Sequence, residues 1–529
     1  MPLSAFARLL PDPALGAVLG SALLLAAAYP PLSWSGLVWV GLVPLLAWLW
    51  GARPAARPAL ALGWGWGLLL TVYHYAWLPH ALITVGGQTP LPAMAFMVAG
   101  MALLALVPGL CVAGTALAWR RWRLSPWLVL PLLLSVGDAL LGVWPWGGLP
   151  WGSLAGPPVG SRGAAWVVPL AGGPALVLLV GLVNGAWAAW LCGARRLRGA
   201  LPGGMALPLI VATGLLAWPA APQRDGPLRS VPVLLLPSAA PATAEPPAPD
   251  GGEAPDERLR GHVARTLAAL PGVAPPALIV WPESAAARPV AQGKTLVHLS
   301  AWAALWESDL LLGSDVRDHG RWYNAAYLLR RDAFAPARYD KRALVPFGEY
   351  VPRGFGWLWG RKLTAGDDDY RPGAADPVLP WRHGTLGLAI CFESILPAHV
   401  RRGVQAGAEA LAVLANDQWL TPAAATHHRQ LTALQGLAVG RDVIFVANGG
   451  WSAHLRDGRV LAAAWRQAAA FTVPLRLRTG LTPWVRWGWW PWAGAAALVL
   501  AAAWALRHRA EPGSGGHPAG ALRRRRHLR

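Results

Sequence analysis

The chain has 529 residues, of which 55% are hydrophobic and only 14% charged, and its mean hydropathy is +0.37. These values exclude an ordinary soluble protein of this length and indicate a membrane protein. The formal net charge of +20 does not indicate nucleic-acid binding, because the basic residues lie where membrane topology requires them. Three cysteines do not make a disulfide framework.

The apolar residues form stretches that can each cross a bilayer, which requires about 20 residues of helix. The first stretch has an alternative interpretation as a signal peptide, but no small-residue cleavage site stands out and further apolar stretches follow at once. The predicted spans are residues 13–29, 34–50, 59–78, 92–118, 126–144, 164–192, 204–220 and 485–506.

The connections between these spans alternate in charge. Those after the second, fourth and sixth spans are rich in arginine, whereas those after the first and third have no lysine or arginine and the fifth has only Arg162. Because basic connections stay in the cytoplasm, we expect cytoplasmic N- and C-termini and an extracytoplasmic segment between the last two spans. The arginines concerned are Arg53, Arg57, Arg120, Arg121, Arg123, Arg195, Arg196 and Arg198.

This topology divides the chain into four parts. We predict a membrane domain of seven transmembrane helices over residues 1–220 and an extracytoplasmic catalytic domain over residues 221–480. An eighth transmembrane helix over residues 481–508 and a basic cytoplasmic tail over residues 509–529 complete the chain. The expected location is therefore the cytoplasmic (inner) membrane, crossed several times.

The extracytoplasmic segment has the composition of a water-soluble domain. Short apolar strands alternate in it with longer helical stretches, which is typical of an α/β sheet fold. Residues 241–255 form a loop rich in proline, alanine and glycine. The predicted strands are 231–236, 277–281, 310–313, 325–330, 385–391, 410–415 and 443–447, and the predicted helices are 256–270, 294–306, 399–408 and 426–439.

Reactive side chains sit at strand ends in this domain, where function in α/β folds gathers. Glu283 ends the strand segment "LIVWPES". The segment "YDKRALVPFGEYVP" carries Lys341 and Glu349, and "ICFES" carries Cys391 and Glu393. A carboxylate, an amine and a thiol at three strand ends can converge on one site.

These residue types suit acyl transfer through a thioester. A thiol needs a base or a cationic neighbour, because it is mostly protonated near neutral pH. Glu283 can accept the proton of Cys391, while Lys341 favours the thiolate and stabilises an oxyanion. The backbone N–H of Phe392 is the expected second oxyanion donor, and Glu349 can orient the lysine.

Each of these residues has a simpler interpretation when taken alone. A single cysteine on an apolar strand is more often an inert core residue than a nucleophile. A lysine in a loop is usually solvated, and a glutamate after Trp-Pro can lie on the surface. The joint pattern favours the catalytic interpretation.

The motifs "WPES", "YDKRALVPFGEYVP", "ICFES" and "ANDQWL" together resemble the nitrilase, or carbon–nitrogen hydrolase, superfamily, whose site is a Glu–Lys–Cys triad. The predicted spans, "GLPWGSL" and "WYNAAYLL" extend the resemblance over nearly the whole chain, to the apolipoprotein N-acyltransferase family. This resemblance implies a multi-span α-helical membrane bundle that carries an α/β nitrilase-like αββα sandwich domain.

The resemblance also implies an activity. Members of that family transfer an acyl chain from a phospholipid, typically phosphatidylethanolamine, through a cysteine thioester to the N-terminal amine of S-diacylglyceryl-cysteine in apolipoproteins. It implies Cys391 as nucleophile, Glu283 as general base and Lys341 as oxyanion stabiliser, with Glu349 and Glu393 in support. We expect a monomer that needs no cofactor.

Further residues are expected to position the substrates. The resemblance implicates Asn324, Asn416, Trp419, His428 and Trp151. The loop 353–363, which contains Trp357, mixes aromatic and cationic residues, and we expect either a packed surface loop or a mobile flap that reaches the membrane interface. No metal site is expected, because His427 and His428 are adjacent and cannot lie on one helix face.

Some positions depart from the family pattern. Gln435 and Ala438 stand where arginine and glutamate are common, and Phe445 stands where arginine is common. Asp138 has no arginine three residues after it. These changes leave the triad intact but affect residues expected near the substrates.

Two other functions remain open from the sequence. One is a membrane-tethered amidase of the same fold, which would hydrolyse a small C–N substrate and have no use for many spans. The other is a non-catalytic relative, an interpretation that the departures at Gln435 and Ala438 motivate and that the intact triad residues oppose.

Overall fold

The computed structural model describes most of the membrane domain and most of the catalytic domain. The described residues are 12–87, 89–192, 229–238, 256–271, 274–286, 290, 294–333, 335–356, 362, 369–466, 469–490, 492–494, 497–498 and 501. The predicted span 204–220, part of the span 485–506, the loop 241–255 and the basic tail lie outside this set.

The membrane domain is a bundle of apolar helices. Buried Asn184 ties its parts together: Oδ1 accepts the Leu42 N–H at 2.7 Å, and Nδ2 donates to Val38 O and Val180 O at 2.9 Å each. Satisfied polar groups of this kind hold helices in register where apolar surface alone gives little direction. The helices are α1 (Pro13–Ala28), α2 (Val43–Ala52), α3 (Ala56–His74), α4 (Pro90–Leu104), α5 (Leu106–Trp122), α6 (Pro126–Leu141), α7 (Arg162–Ala171) and α8 (Gly173–Leu191), with a 3₁₀ helix at Ser35–Trp39 and a π-helix at His80–Val85.

Length and composition single out membrane-spanning stretches among the described residues. Those that are long and apolar enough to cross a bilayer are Ser35–Ala52, Ala93–Trp122 and Gly173–Leu191.

The prediction of one continuous helix over residues 164–192 is wrong. Gly172 has φ +79, a left-handed conformation that suits glycine, and it separates α7 from α8. A Cβ there would lie 3.0 Å from the Trp484 ring, so the ring would have to shift to admit any other residue. The predicted span 92–118 is likewise two helices, which meet at Ala105. Apolar composition predicted these stretches without revealing where the helices break.

The basic connections after the second and fourth predicted spans lie together at one end of the bundle. Arg120 donates to the Arg53 carbonyl at 3.3 Å, and the Arg53 guanidinium lies 5.0 Å from the Trp119 ring centroid. The next helix, α3, begins near Arg53 and ends at His74, about 28 Å away at 1.5 Å per residue. His74 packs against the catalytic domain, so this domain and the arginines are at opposite ends of α3.

The catalytic domain is built on two six-stranded mixed sheets, in the orders β12-β1-β2-β3-β4-β5 and β11-β10-β9-β8-β7-β6. Strands β1, β2 and β3 pair in parallel, as do β7, β8 and β9, so their carboxyl ends share one edge of each sheet. The strands are β1 (Arg229–Leu235), β2 (Leu278–Val280), β3 (Asp309–Asp318), β4 (Arg321–Leu329), β5 (Ala337–Asp340), β6 (Val378–Trp381), β7 (Gly384–Ile390), β8 (Ala410–Asn416), β9 (Val443–Asn448), β10 (Trp451–Arg456), β11 (Arg459–Trp465) and β12 (Phe471–Leu477).

The two sheets face each other across an apolar core. Alternate residues such as Val233 and Leu311 of one sheet, and Leu388 and Ile444 of the other, are fully or almost fully buried between them. Helices cover the outer faces, which completes an αββα sandwich and confirms the predicted fold class. These helices are α9 (Glu257–Ala269), α10 (Thr295–Leu305), α11 (Pro397–Gln405) and α12 (Pro422–Val439), and α13 (Pro483–Trp487) follows the last strand.

The predicted strands and helices of this domain all occur, with ends that differ by up to five residues. The sequence did not predict β5, β6 and β10 to β12. Strand β11 shows why: its sequence, RVLAAAW, has no apolar–polar alternation and is rich in alanine, which is depleted in strands.

Helix α12 joins the two domains. Leu434, Leu437 and Ala438 lie in the same buried cluster as Val168 of α7 and Trp484 of α13. The outer face of the second sheet is thus covered by a helix that itself packs on the membrane bundle, which fixes the catalytic domain against it.

Candidate active site

The predicted catalytic residues come together at the carboxyl-end edge of the sandwich. Glu283 follows β2, Lys341 follows β5 directly and Cys391 follows β7 directly. Lys341 Nζ lies 2.9 Å from Glu349 Oε1 and 3.8 Å from Glu283 Oε1. Cys391 lies close enough to Glu283 and Lys341 for their charges to shift the pKa of its thiol. Residues up to 108 positions apart in sequence thus form one cluster.

Lys341 is a buried cation, with 1% of its surface exposed. Burial by itself disfavours the charged ammonium, but Glu349 and Glu283 outweigh that effect and raise the pKa of Lys341. The lysine is therefore positively charged over the physiological pH range, and it cannot act as a base. Its fixed charge is suited to stabilising a thiolate or an oxyanion.

Glu283 has the properties of a general base. It is 6% exposed, and burial raises the pKa of its carboxyl to about 7, against the opposing charge of Lys341. Its Oε1 accepts a hydrogen bond from Asn324 Nδ2 at 2.7 Å. Its Oε2 is buried and has no hydrogen-bond partner among the residues that the structure describes. One carboxylate oxygen is held in place while the other is available for a proton.

Asn324 organises the carboxylates around the lysine. Its Nδ2 also donates to Glu349 Oε1 at 3.1 Å. Its backbone carbonyl accepts the backbone N–H of Lys341 at 2.8 Å. The second oxygen of Glu349 accepts the Val345 N–H at 2.7 Å. The structure therefore places Asn324 against Glu283 and Glu349, whereas the sequence led us to expect it against a substrate.

Cys391 occupies a strained turn. Its φ of +53 is uncommon for a residue with a side chain, and it begins a 3₁₀ helix, Cys391–Ile395, directly after β7. Burial is the largest of the effects that raise the pKa of its thiol, and Glu283 adds to it; Lys341 and the Asn416 N–H act in the opposite direction. The thiol is thus protonated at rest, so attack requires a base.

The strained turn also presents backbone donors. The first N–H groups of a helix have no partner within it, and that of Phe392 follows the nucleophile directly. This is the position at which the sequence predicts an oxyanion donor.

Glu393 holds the lysine segment against the nucleophile turn. It is completely buried, and its Oε1 accepts the N–H groups of Arg342 and Ala343 at 2.7 and 2.9 Å. Its Oε2 accepts the Ile390 N–H at 2.8 Å, and the Tyr339 hydroxyl donates to both oxygens at 2.8 and 3.0 Å. One carboxylate therefore joins the residues on either side of Lys341 to the residue before Cys391.

We expect Glu393→Gln to lower both stability and activity. The amide would turn an N–H₂ group toward backbone donors, so at least one buried donor would lose its partner, at a cost of about 1–3 kcal/mol. The melting temperature measured by light scattering or fluorescence should fall by several degrees, and transfer should fall at least about tenfold. The control is Glu307→Gln, the same change at an exposed position. Equal melting temperatures and rates for the two variants would contradict this role.

His428 contacts the backbone of Cys391, the predicted nucleophile, and the side chain of Ser394 in the turn that follows it. Its Nδ1 lies 2.8 Å from Asp417 Oδ1, and its Nε2 lies 3.0 Å from Ser394 Oγ and 3.3 Å from the Cys391 carbonyl. The ring edge packs on Phe445, 5.1 Å between centroids. Phe445, one of the departures from the family pattern, therefore supports the histidine.

The membrane domain contributes a wall of the site. Trp151 packs in one apolar cluster with Phe392 of the nucleophile turn, Ala343 and Leu431. Its indole N–H donates to the His74 carbonyl at 2.9 Å. Beneath it, a cavity of about 110 Å³ is lined by apolar residues of α3, α5 and α6, together with Asp138 and His74.

The other predicted positions lie close to the site or outside the described residues. Asn416 ends β8, where its side chain accepts the Gln418 N–H at 3.4 Å, and Trp419 ends the following 3₁₀ helix, Asp417–Trp419. Gln435 and Ala438 are buried on α12. Trp357, and with it most of the predicted flap 353–363, lies outside the described residues.

Sequence reasoning missed several residues of the site. Asp417 and Tyr339 were not predicted, although Asp417 follows β8 at the same sheet edge as Cys391, a signal that could have identified it. Asp315 lies opposite Asn324 in the β3–β4 register, and burial raises its pKa to about 6. Nothing in the sequence distinguishes it from a surface aspartate.

Known proteins resemble this chain over nearly its full length. Residues 21–186 match the model for the apolipoprotein N-acyltransferase N-terminal domain, and residues 263–457 match that for carbon–nitrogen hydrolase. The apolipoprotein N-acyltransferase of Gloeobacter violaceus is 32% identical over 506 residues, which cover 92% of each chain. The chain belongs to the apolipoprotein N-acyltransferase family. The apolipoprotein N-acyltransferase of Geobacter metallireducens is 27% identical over 528 residues, which cover 92% of this chain and 94% of that protein.

Membership of the apolipoprotein N-acyltransferase family confirms the resemblance predicted from the motifs. The chain is an acyltransferase that combines a membrane domain with a carbon–nitrogen hydrolase fold. All three triad candidates, Glu283, Lys341 and Cys391, lie within the part that matches carbon–nitrogen hydrolase.

Proposed function

We propose that this protein transfers a fatty acyl chain from a phospholipid to the N-terminal α-amino group of S-diacylglyceryl-cysteine in apolipoproteins. Cys391 carries the chain as a thioester between the two half-reactions. The observation that supports this most is the convergence of Glu283, Lys341 and Cys391 at a site to which the membrane domain contributes Trp151. Both substrates are lipids, and this placement brings the thiol within reach of the bilayer surface.

In the first half-reaction, Sγ of Cys391 attacks the sn-1 ester carbonyl of the phospholipid. Glu283 Oε2 accepts the thiol proton as the C–S bond forms. The Lys341 ammonium and the Phe392 N–H stabilise the oxyanion of the tetrahedral intermediate. When the C–O bond breaks, Glu283 returns the proton to the departing oxygen, and lysophospholipid leaves with a hydroxyl group.

In the second half-reaction, the neutral α-amino group attacks the thioester carbonyl. Glu283, now a carboxylate again, accepts the amine proton, and the same two donors stabilise the second oxyanion. The C–S bond then breaks, Glu283 returns the proton to Sγ, and an amide is released. The sequence of ester, thioester and amide ends on the most stable of the three bonds.

The arrangement of the chain in the membrane is also part of the proposal. Basic connections at one end of α3 and the catalytic domain at the other favour cytoplasmic arginines and an extracytoplasmic site in the cytoplasmic membrane. Trp146 and Trp487, which are 44% and 57% exposed, are suited to the interface near the catalytic domain. The donor we propose is phosphatidylethanolamine, and a monomer suffices because one chain supplies the whole triad.

The test is a reconstituted transfer reaction. Purified protein in detergent is given phosphatidylethanolamine and a peptide that begins with S-diacylglyceryl-cysteine, and the peptide is analysed by mass spectrometry. We expect one added acyl chain on the α-amino group, in a bond that hydroxylamine does not cleave. An unmodified peptide, or hydrolysis of a small amide without phospholipid, would overturn the proposal in favour of the amidase alternative.

A further inference from the structure

Adjacent histidines of α12 face the two halves of the molecule. His428 reaches the nucleophile turn, as described above. His427 points the other way, into the membrane domain, where its Nε2 accepts the Gly152 N–H at 3.3 Å. His427 is 4% exposed, and nothing in the proposed chemistry uses it.

At this junction, hydrogen bonds and close packing fix the segment 151–153 of the membrane domain. The Tyr29 hydroxyl donates to the carbonyls of Gly152 and Ser153 at 3.1 and 2.9 Å. The Trp151 indole N–H donates to the His74 carbonyl. Gly152 itself has φ +93, and a Cβ there would lie 2.7 Å from His74 Cδ2, so only glycine fits. The Gly152 N–H is the polar group through which the catalytic domain holds this segment.

The environment of His427 fixes its role as an acceptor. The ring stacks on His74 at 5.9 Å between centroids and meets Tyr29 and Trp151 edge-on at 5.3 and 5.2 Å. Burial lowers the pKa of His427 to about 4, so the ring is neutral near pH 7. Its Nδ1 faces Gln430 Oε1 at 3.4 Å, a carbonyl oxygen that needs a donor. The proton therefore belongs on Nδ1, which leaves Nε2 to accept from Gly152.

The hydrogen bond from Gly152 to His427 affects the turn at Cys391 through Trp151. This residue, directly before Gly152, packs on the same buried cluster as Phe392, which follows Cys391, and Ala343, which lies two residues after Lys341. A shift of the segment 151–153 would therefore change the packing around the oxyanion donors. No other hydrogen bond between side chain and backbone, within the described residues, joins α12 to this segment.

We propose that His427 is a positioning residue for acyl transfer: by accepting the Gly152 N–H it holds Trp151 in the apolar cluster on which Phe392 also packs, so that the site is complete only when the two domains are joined. The inference rests on the proposed function, and it extends that function from the triad to the contact between domains. His427 touches neither the thiol nor the reacting carbonyl.

Two substitutions separate hydrogen bonding from packing. His427→Phe keeps an aromatic ring beside Tyr29 and His74 but has no acceptor, whereas His427→Gln keeps an acceptor without the ring. We expect His427→Phe to lower the rate of transfer about 10- to 100-fold, the usual cost of a small misplacement, and His427→Gln to restore it to within about threefold of the native protein. The matched control is His262→Phe on α9, an equally buried histidine that stacks on Trp281.

The result that overturns the inference is a His427→Phe protein with native transfer, or a His427→Gln protein as impaired as His427→Phe. If the native protein itself transfers no acyl chain, the proposed function fails, and the positioning role is tested separately by alkylation. The rate at which iodoacetamide modifies Cys391, located by peptide mass, should then rise at least about threefold in His427→Phe only, because Trp151 no longer holds Phe392 in place. Equal alkylation rates in the native and His427→Phe proteins would overturn the positioning role of His427.

Discussion

Replacing Cys391 with alanine should abolish acyl transfer while leaving the protein folded. Removing a nucleophile from a cooperating triad lowers the rate by at least about 1,000-fold, since the remaining groups have no thioester to act on. The loss should equal that of the Cys391→Ser protein, because the serine hydroxyl is a far weaker nucleophile beside the same base. The rates are measured as acyl chains appearing on the lipopeptide.

Two controls separate this effect from damage to the fold. Cys192→Ala removes a thiol at the end of α8, far along the chain from the triad, and should transfer at the native rate. The melting temperature of Cys391→Ala should not fall, because alanine is smaller than cysteine and adds no bulk at a turn with φ +53. A folded Cys391→Ala protein that still transfers acyl chains would contradict the thioester mechanism.

Replacing Glu283 with glutamine should remove the base and, with it, the half-maximum of the rate near pH 7. The amide keeps an oxygen that can accept from Asn324 Nδ2, so the geometry is largely retained, but it cannot accept a proton. A positioned general base contributes about 100- to 10,000-fold, and we expect thioester formation to slow by that amount. Glu257→Gln, an exposed glutamate at the start of α9, is the matched control.

The sign of the pH dependence follows from the state of Glu283. Burial raises its pKa to about 7, so its basic carboxylate form is scarce at pH 6 and predominant at pH 8. Thioester formation in the native protein should therefore rise with pH and reach half its maximum near pH 7. In Glu283→Gln the half-maximum near pH 7 should be absent, because the remaining slow rate depends on ionisation of the thiol itself, whose pKa is raised, and should still be increasing at pH 8. A native rate that falls as pH increases from 6 to 8 would show that Glu283 is not the base.

Glu283 and Cys391 could be predicted as candidate site residues from strand ends, whereas the strand before Lys341 was not predicted and the lysine was chosen from its motif. Glu283 and Cys391 follow short apolar runs that can only be core strands, and such ends share an edge in a parallel sheet. The local sequence therefore indicates where the side chains meet. It does not indicate their charge states, which depend on burial and on neighbours from other strands, as the raised pKa of Glu283 shows.

The supporting residues could not be predicted in the same way. Glu393 was expected to assist catalysis, but its role depends on donors from three separate segments that only the fold brings together. His427 and His428 were recognised as facing different sides of their helix, yet the sequence could not show that one side meets a membrane domain some 275 residues away in the chain. Gly172 illustrates a third limit, since an apolar run does not reveal where its backbone turns.

The most direct test of the account is the mass of the protein after incubation with phosphatidylethanolamine alone. We predict one added acyl chain, mapped to Cys391, removed by hydroxylamine and passed to a lipopeptide that is added afterwards. The Cys391→Ala protein should gain no mass under the same conditions. No added chain on the folded native protein, or a chain attached to any residue other than Cys391, would contradict the proposal that this thiol carries the acyl group.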